Sequence, residues 1–256
     1  MIEKTVVIDP SAKIAEDVKI GHYSIVGPNV EIGPGCEIGS HVVLEGPLTI
    51  GKRNRIFHFA YIGGVPQDLS YKGEISRVEI GDDNTIREYV TIHRGTSKQN
   101  CLTRVGNHNL LMAYVHVAHD CIIGDHCILA NAVNLGGHVE INDYASIGGM
   151  VGIHQFVRIG RYSFIGGLTA VTQNVLPFSM VVGERGSLRG TNITGLRRNG
   201  FNNERRSKID KAIRYFLIPD IAPSTALEKM IDEFPDDEDI LEIVDFARSS
   251  GRGIIT

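Results

Sequence analysis

Residues 117–153 read VAHDCIIGDHCILANAVNLGGHVEINDYASIGGMVGI, with an aliphatic residue at every sixth position. The same spacing recurs through residues 8–62, 80–92 and 105–171. A glycine often follows the aliphatic residue, and glycine permits the tight turn that a corner requires. A fixed period is the sequence sign of a repeat architecture. The pattern therefore predicts a solenoid of short parallel strands, in which three six-residue units form one coil and the aliphatic side chains line the core.

Net charge and hydropathy restrict the partners of the chain. The 256 residues carry a formal net charge of −4, which argues against nucleic-acid binding. No stretch approaches the roughly 18 apolar residues of a membrane-spanning helix, and the first residues, MIEKTVVIDPSAKI, lack an apolar signal core. The four cysteines form no CxxC motif, so we expect reduced thiols. We predict no transmembrane segment and a cytoplasmic location.

Two stretches interrupt the period. Residues 63–79 carry no inward aliphatic series and contain Pro66, which predicts a loop that leaves the solenoid. The spacing between Ile92 and Val105 cannot keep the phase, so residues of about 93–104 form an insertion. Insertions in a solenoid lie on one face, and that face is often the binding face.

The pattern changes near the C-terminus. The period stops at Pro177, and the residues from there to about 190 predict an irregular connection. From Leu196 onward the apolar residues take helical spacing. We therefore expect a β-solenoid domain at residues 1–190 and an α-helical domain at residues 191–256.

Charge is segregated within the helical part. Residues 196–216 contain seven lysines or arginines, whereas residues 217–245 contain ten acidic residues and one lysine. Such a segment is usually a solvated helix face. A second interpretation is a binding surface for an acidic protein or a phosphate-bearing ligand.

Histidines recur at one corner of the predicted coils. His119, His138 and His154 fall within about one residue of an 18-residue coil spacing, and His116 precedes the first of them by three positions. Two kinds of site would use such a column. Zinc binding requires three or four converging ligands, whereas general base catalysis requires one neutral imidazole and a partner that fixes its tautomer.

Two neighbours of this column suit acid–base chemistry. Asp120 follows His119 directly and is a candidate partner for an imidazole, although adjacent residues in a strand point to opposite sides. Gly137 would leave a backbone N–H unobstructed for an oxyanion.

Five segments resemble UDP-N-acetylglucosamine acyltransferases. They are SRVEIGDDNTIREYVTIHRGT (76–96), VGNHNLLMAYVHVAHDC (105–121), ILANAVNLGGHV (128–139), IGGMVGIHQF (147–156) and FARSSGRGI (246–254). The resemblance implies a left-handed parallel β-helix with a C-terminal helical domain, assembled as a homotrimer with active sites between neighbouring prisms. It implies transfer of an (R)-3-hydroxyacyl group from acyl carrier protein to the 3-position of UDP-N-acetylglucosamine, the first step of lipid A biosynthesis. The implied transfer is direct and uses no metal or other cofactor.

The resemblance also assigns roles to residues. His119 becomes the general base, with Asp120 beside it, and the Gly137 N–H meets the thioester carbonyl. Gly167 matches the position that sets acyl length, for which we expect a long chain. The substrate-binding set comprises Gln67, Asp68, Ser70, His93, His116, His138, His154, Gln155, Gly167, Asn192, Thr194 and Arg198. The basic segment 196–216 would meet acyl carrier protein.

Two positions depart from the family pattern. Ser70 stands where a substrate-binding lysine is expected, although Lys72 is close enough to substitute, and Thr194 stands where a nucleotide-contacting glutamate is expected. These changes leave open whether the acceptor carries a 3-hydroxyl or is the 3-amino analogue, which would give an amide. The remaining alternatives are a coenzyme A-dependent acetyltransferase, a zinc carbonic anhydrase of the γ type, and a purely structural β-helix.

Overall fold

The computed structural model describes all 256 residues and contains 27 short β-strands and four α-helices, numbered in chain order. Most strands have two residues, of which the second is the buried aliphatic residue of the repeat and the first faces outward. Strands that repeat in this way stack on one another as three flat parallel sheets. The chain forms the left-handed parallel β-helix that the resemblance implies, followed by C-terminal helices.

Each coil contributes one strand to each sheet. The first sheet contains β1 (Val7–Ile8), β4 (Ile25–Val26), β7 (Val43–Leu44), β10 (Tyr61–Gly64), β13 (Thr91–His93), β16 (His116–Val117), β19 (Asn134–Leu135), β22 (Gly152–Ile153) and β25 (Ala170–Val171). The second contains β2 (Lys13–Ile14), β5 (Val30–Ile32), β8 (Leu48–Ile50), β11 (Arg77–Ile80), β14 (Leu102–Val105), β17 (Ile122–Ile123), β20 (Glu140–Ile141) and β23 (Arg158–Ile159). The third contains β3 (Lys19–Ile20), β6 (Glu37–Ile38), β9 (Arg55–Ile56), β12 (Thr85–Ile86), β15 (Leu110–Leu111), β18 (Ile128–Leu129), β21 (Ser146–Ile147), β24 (Phe164–Ile165), β26 (Ser179–Val182) and β27 (Ser187–Thr191).

The aliphatic residues form continuous ladders through the core. In the second sheet Ile32 pairs with Ile50, Ile50 with Ile80, and Ile80 with Val105. The last two steps are longer than a regular coil because the chain leaves the prism as loops at residues 65–76 and 94–101. Both loops lie within the stretches where insertions were expected, and both leave from the end of a first-sheet strand, so they project at the same corner of the prism.

The end of the prism differs from the prediction. An irregular connection from Pro177 to about residue 190 was expected, and this was wrong. Strand β26 continues the third sheet in parallel with β24, and β27 returns antiparallel to β26 as a hairpin. The spacing from Ile165 to its partner Val181 is not a multiple of six, so the period could not reveal the pairing. The expected boundary between the solenoid domain and the helical domain, at residues 190 and 191, stays a prediction. Strand β27 spans this position.

Four helices follow the hairpin. They are α1 (Ile193–Arg198), α2 (Asn203–Tyr215), α3 (Pro223–Glu233) and α4 (Glu238–Arg248). Asn192 and Asn202 cap α1 and α2 by accepting hydrogen bonds from backbone N–H groups of their first turns. None of the four helices combines the length and the apolar composition that crossing a bilayer requires.

Opposite charges meet inside this helical part. Arg205 bonds to Asp239 at 2.5 Å, and Lys208 lies 3.7 Å from Asp237. Lys211 pairs with Glu233, and Arg214 pairs with Asp210 at 2.7 Å. Arg205, Lys208 and Lys211 therefore pair with acidic residues of the 217–245 segment, and Arg214 pairs with a residue of its own segment. Of the seven basic residues, these four do not offer an unpaired charge to a partner.

Exposed apolar side chains form a column along the corner between the third and first sheets. Each sits at a left-handed corner position with φ between 59° and 65°, and each is between 43% and 68% exposed. The members of this apolar corner column are Tyr23, Phe59, Tyr89, Tyr114, Met150 and Leu168. Tyr89 and Tyr114 stack with ring centroids 4.8 Å apart. His41 stacks between Tyr23 and Phe59 at the same corner, so the edge is largely but not wholly apolar, and exposed apolar surface of this kind is typical of an interaction site.

Candidate active site

A cleft of about 430 Å³ opens at the corner between the first and second sheets. Seven of the residues predicted for the site line it, and they come from the 65–76 loop, two first-sheet strands and three stacked corners. These residues are Gln67, His93, His116, His119, Gly137, His154 and Gln155. The histidine column therefore does face a common space, as the coil spacing indicated.

The corner that follows β16 brings His119 and Asp120 together. Asp120 takes a left-handed backbone conformation with φ 60°, which aspartate tolerates better than most residues. Its carboxylate turns back, so that Oδ2 lies 2.8 Å from His119 Nδ1. The concern that adjacent residues point to opposite sides applies to strands, and these two residues occupy a turn instead.

The Asp120 carboxylate is buried and held by further donors. Thr96 donates its backbone N–H to Oδ1 at 2.8 Å and its hydroxyl to Oδ2 at 2.7 Å, and the backbone N–H of Asp120 donates to the Thr103 hydroxyl at 2.8 Å. Burial by itself raises the pKa of Asp120, but the hydrogen bonds from His119 and Thr96 outweigh it, so the pKa lies below its usual range. The carboxylate is therefore ionised at neutral pH and acts only as an acceptor.

An acceptor on one side of an imidazole fixes its tautomer. Because Asp120 has no proton to give, His119 must carry its proton on Nδ1 and donate it to Oδ2. In the neutral ring, the other nitrogen, Nε2, is then the hydrogen-bond acceptor on the cleft side. Its closest carboxylate there is Asp68, whose Oδ2 is 4.0 Å away.

Gly137 lies directly against His119. A Cβ atom at this position would lie 2.5 Å from Cε1 and 2.7 Å from Nε2 of His119, so only glycine permits the observed approach. The backbone N–H of Gly137 has no partner within the chain, whereas the N–H of Gly136 donates to Ile153 O at 2.8 Å. Gly137, with an unpaired backbone donor, and the ring of His119 therefore line one cleft.

Three other histidines of the site, His93, His116 and His138, are disposed to be uncharged, because burial lowers the pKa of each. Burial, assisted by the nearby His93 and His119, lowers the pKa of His116 to about 4. Burial also lowers the pKa of His93 and that of His138. His116 Nδ1 lies 2.7 Å from the Thr91 hydroxyl. These imidazoles offer hydrogen bonds to a ligand rather than positive charge.

Two family models match the chain. Residues 174–255 match the model described as UDP N-acetylglucosamine O-acyltransferase, domain 2. Residues 1–34, 11–46 and 102–137 match the bacterial transferase hexapeptide model of six repeats.

Full-length relatives and solved structures agree with these models. The acyl-(acyl-carrier-protein)–UDP-N-acetylglucosamine O-acyltransferase of Saccharophagus degradans is 46% identical over 254 residues, which are 99% of this chain and 98% of the relative. The enzyme of the same name from Thermodesulfovibrio yellowstonii is 46% identical over 253 residues, with the same coverage. The structure of LpxA from Bacteroides fragilis, a UDP-N-acetylglucosamine acyltransferase, matches with a TM-score of 0.97 at 43% identity and covers 100% of both chains. LpxA from Acinetobacter baumannii matches with a TM-score of 0.96 at 44% identity, covering 100% of this chain and 99% of its own.

The chain belongs to the UDP-N-acetylglucosamine O-acyltransferase family. The resemblance stated from the sequence motifs is thereby confirmed. The zinc carbonic anhydrase, the coenzyme A-dependent acetyltransferase and the purely structural β-helix are not favoured, because relatives of nearly equal length and 46% identity bear another name.

The acyltransferase cleft does not contain every residue that the resemblance implies. Asn192, Thr194 and Arg198 line a second cleft of about 530 Å³, with Phe164 and Met180 of the third sheet. The Asn192 side chain is also occupied structurally, because it caps α1 and donates to Tyr162 O at 2.9 Å. Within one chain, these predicted nucleotide-binding residues are not brought together with His119.

Two further predicted residues take other positions. Gly167 is exposed at the corner between the third and first sheets, where an added Cβ would meet Gly149 O at 3.1 Å. His138 lies behind the base rather than on the cleft wall, with Nε2 3.7 Å from Asp120 Oδ2 and its ring T-shaped to His119 at 5.1 Å.

The loops supply contacts that sequence reasoning missed. Thr96 and Thr103 hold Asp120, and Gln99 Oε1 lies 2.8 Å from His138 Nδ1. Lys98, not Lys72, meets the carboxylate of Asp68. The only signal for these contacts was the broken period at residues 93–104, which marked a loop but not where its side chains would reach.

His119, Asp120 and His138 could also offer metal-ligand atoms that lie within 4.8 Å of one another. These three side chains fit a hydrogen-bonded acid–base pair better than a metal site. Asp120 already accepts hydrogen bonds from the Thr96 backbone, the Thr96 hydroxyl and His119 Nδ1, so a cation there would replace bonds that the fold already makes.

Proposed function

We propose that this chain transfers an (R)-3-hydroxyacyl group from acyl carrier protein to the 3-hydroxyl of UDP-N-acetylglucosamine, the first step of lipid A biosynthesis. The substrates follow from the names of the full-length relatives. One observation carries the chemistry: Asp120 holds His119 by its Nδ1, and His119 lines one cleft with Gly137, whose N–H has no partner within the chain.

The reaction is an acyl transfer that the residues of this cleft can catalyse. His119 Nε2 takes the proton of the acceptor hydroxyl as the oxygen attacks the thioester carbonyl. The negative charge that develops on the carbonyl oxygen meets the Gly137 N–H. The tetrahedral intermediate collapses, the carbon–sulfur bond breaks, and the thiolate leaving group receives the proton from His119. Asp120 stabilises the imidazolium between the two proton transfers.

Hydrogen-bonding side chains would hold the substrates around the base. We assign this role to Gln67, Asp68, Ser70, His93, His116, His154 and Gln155, whereas His138 lies behind His119 and would contact no substrate directly. The lowered pKa of His93 and of His116 suits sugar hydroxyls and a thioester carbonyl, which pair with neutral donors and acceptors. Their contribution is orientation of the reacting groups, which is worth several kcal/mol in a well-positioned reaction.

A second copy of the chain would complete the site. We propose a homotrimer for two reasons. The apolar corner column runs along the prism and is uncovered in one chain. In addition, Gly167 and the cleft of Asn192, Thr194 and Arg198 lie apart from His119, so they reach one substrate only if a neighbouring copy supplies them. Gly167 would then line the groove for the acyl chain, and its lack of a side chain would admit a long one.

The acceptor can be tested directly. Purified protein is incubated with one (R)-3-hydroxyacyl carrier protein and either UDP-N-acetylglucosamine or its 3-amino analogue, and product is measured by mass spectrometry. We expect the hydroxyl acceptor to give at least a tenfold higher kcat/KM, and its product to be cleaved by mild base as an ester is. A preference for the amino acceptor, or no product from either, would contradict the proposal.

Two expectations from the sequence stay predictions. Carrier-protein binding by residues 196–216 is restricted by the internal ion pairs of four of its basic residues, which leaves Arg197, Arg198 and Arg206 without a carboxylate partner. The cytoplasmic location likewise stays a prediction.

A further inference from the structure

The loop at residues 94–101 places a lysine beside the base. Lys98 Nζ lies 2.7 Å from Asp68 Oδ2, and the same oxygen lies 4.0 Å from His119 Nε2. The other oxygen of Asp68 accepts the backbone N–H and the hydroxyl of Ser70, each at 2.8 Å. The carboxylate is therefore held from two sides, at a distance from the imidazole that is too long for a direct hydrogen bond.

An unrestrained carboxylate at this place would disable the base. A negative charge about 4 Å from an imidazole favours the protonated ring. Without Lys98, Asp68 would also be able to turn toward His119 Nε2 and occupy the position that an acceptor hydroxyl needs. With Lys98 in contact, the two opposite charges largely cancel, and the carboxylate stays where Ser70 and Lys98 fix it.

We propose that Lys98 is a positioning residue of the acyl transfer, which holds the Asp68 carboxylate away from His119 Nε2 and offsets its charge. Lys98 acts through Asp68 and keeps Nε2 accessible to the acceptor hydroxyl. The inference rests on the proposed function, because it takes His119 as the base.

Other ionisable groups around His119 do not replace Lys98. The ionisable groups that face the ring or line the same cleft are Asp120, Asp68, Lys98, His93, His116, His138 and His154. Burial lowers the pKa of His93, His116 and His138, and Asp120 is fixed by its own hydrogen bonds. Lys98 is the cation that pairs with Asp68, and its removal changes the field at Nε2 of His119.

The loop does not depend on Lys98 for its attachment. Ser97 donates its hydroxyl to Glu74 Oε1 at 2.9 Å, and this bond joins the 94–101 loop to the 65–76 loop. Lys72, in the second loop, is exposed and forms no ion pair. A Lys98→Met variant should therefore keep its loops joined, and Lys72→Met is a charge-matched control.

The pH dependence of kcat/KM tests this role, because its acid limb reports the base of the free enzyme. We expect the acid limb of Lys98→Met to move upward by about one pH unit, so that activity is about tenfold lower at acidic pH and equal to wild type at alkaline pH. Lys98→Arg and Lys72→Met should keep the wild-type limb. Adding Asp68→Asn to Lys98→Met should return the limb to its original place, whatever its effect on the maximal rate.

The outcomes separate the two proposals. An acid limb that does not move in Lys98→Met, including a uniform loss of activity at every pH, overturns the inference and leaves the proposed function intact. A shift that persists in the double variant also overturns it, because the effect then does not act through Asp68. A wild type that transfers no acyl group overturns the proposed function, and the inference with it.

Discussion

A methyl group at Gly137 should displace the base while leaving all its hydrogen-bonding partners in place. The Cβ of Gly137→Ala would lie 2.5 Å from His119 Cε1 and 2.7 Å from Nε2, whereas carbon atoms in contact are about 3.5–4.0 Å apart. The ring is held at Nδ1 by the 2.8 Å bond to Asp120. It must therefore retreat by about 1 Å or tilt about that bond.

The expected cost follows from this displacement. A misplacement of about 1 Å lowers the rate by about 10²-fold, which corresponds to about 2.7 kcal/mol of activation free energy. The overpacking itself should lower the free energy of unfolding by about 1–3 kcal/mol. We expect kcat/KM for acyl transfer to fall by about 10²-fold in a protein that is still folded at the assay temperature.

Gly152→Ala is the matched control. This glycine is exposed in β22, and no heavy atom lies within 4 Å of an added Cβ. The variant should retain wild-type kcat/KM and thermal midpoint. Steady-state kinetics and denaturant unfolding are measured on both variants. If Gly137→Ala retained kcat/KM within about threefold of wild type, acyl transfer would not depend on the close approach of Gly137 to His119. The predicted effect of displacing the ring would then be refuted.

Three further predictions address the partner of the base, the pH dependence of stability and the assembly. Asp120→Asn should lower kcat by about 10³-fold or more, because the amide no longer fixes the Nδ1–H tautomer; a loss below tenfold would contradict this role of Asp120. The pKa of His116 in the folded state, at about 4, lies below the usual histidine value of about 6.5, so the unfolded chain takes up the proton first and stability falls as pH drops through that window. Between pH 7 and 5, wild type should lose about 1 kcal/mol more unfolding free energy than His116→Gln, a value reduced for partial exposure, and equal losses in denaturant titrations would contradict it. In analytical ultracentrifugation, wild type should sediment as the proposed trimer and Tyr114→Glu as smaller species. An unchanged mass of the variant would show that the apolar corner column is not part of the interface.

The repeat could be predicted because it is dictated by local chemistry. Buried aliphatic residues such as Ile123 and Leu129 are six residues apart along the chain. Because three such units form one coil, residues 18 apart pair in neighbouring coils, as Ile32 does with Ile50. The same 18-residue coil spacing predicts that His119 and Gly137 lie at one corner of the prism. Wherever the period held, position along the chain determined position in space.

The parts that escaped prediction lie where the period fails. The 94–101 loop carries Lys98 to Asp68 and Thr96 to Asp120 across sequence separations that no coil spacing defines. The direction of Asp120 depends on its left-handed backbone at a corner, which a strand pattern does not describe. The β26–β27 hairpin was missed because its spacing departs from six, although it pairs with the same sheet.

Replacement of His119 by alanine tests the central chemical claim most directly. The substitution removes the Nε2 acceptor and leaves the cleft and the Gly137 N–H in place. Single-turnover acyl transfer by folded His119→Ala protein should be slower than wild type by about 10²–10⁴-fold, the usual contribution of a general base. Transfer within about threefold of the wild-type rate would show that another group accepts the proton, and the assignment of His119 as the base would be wrong.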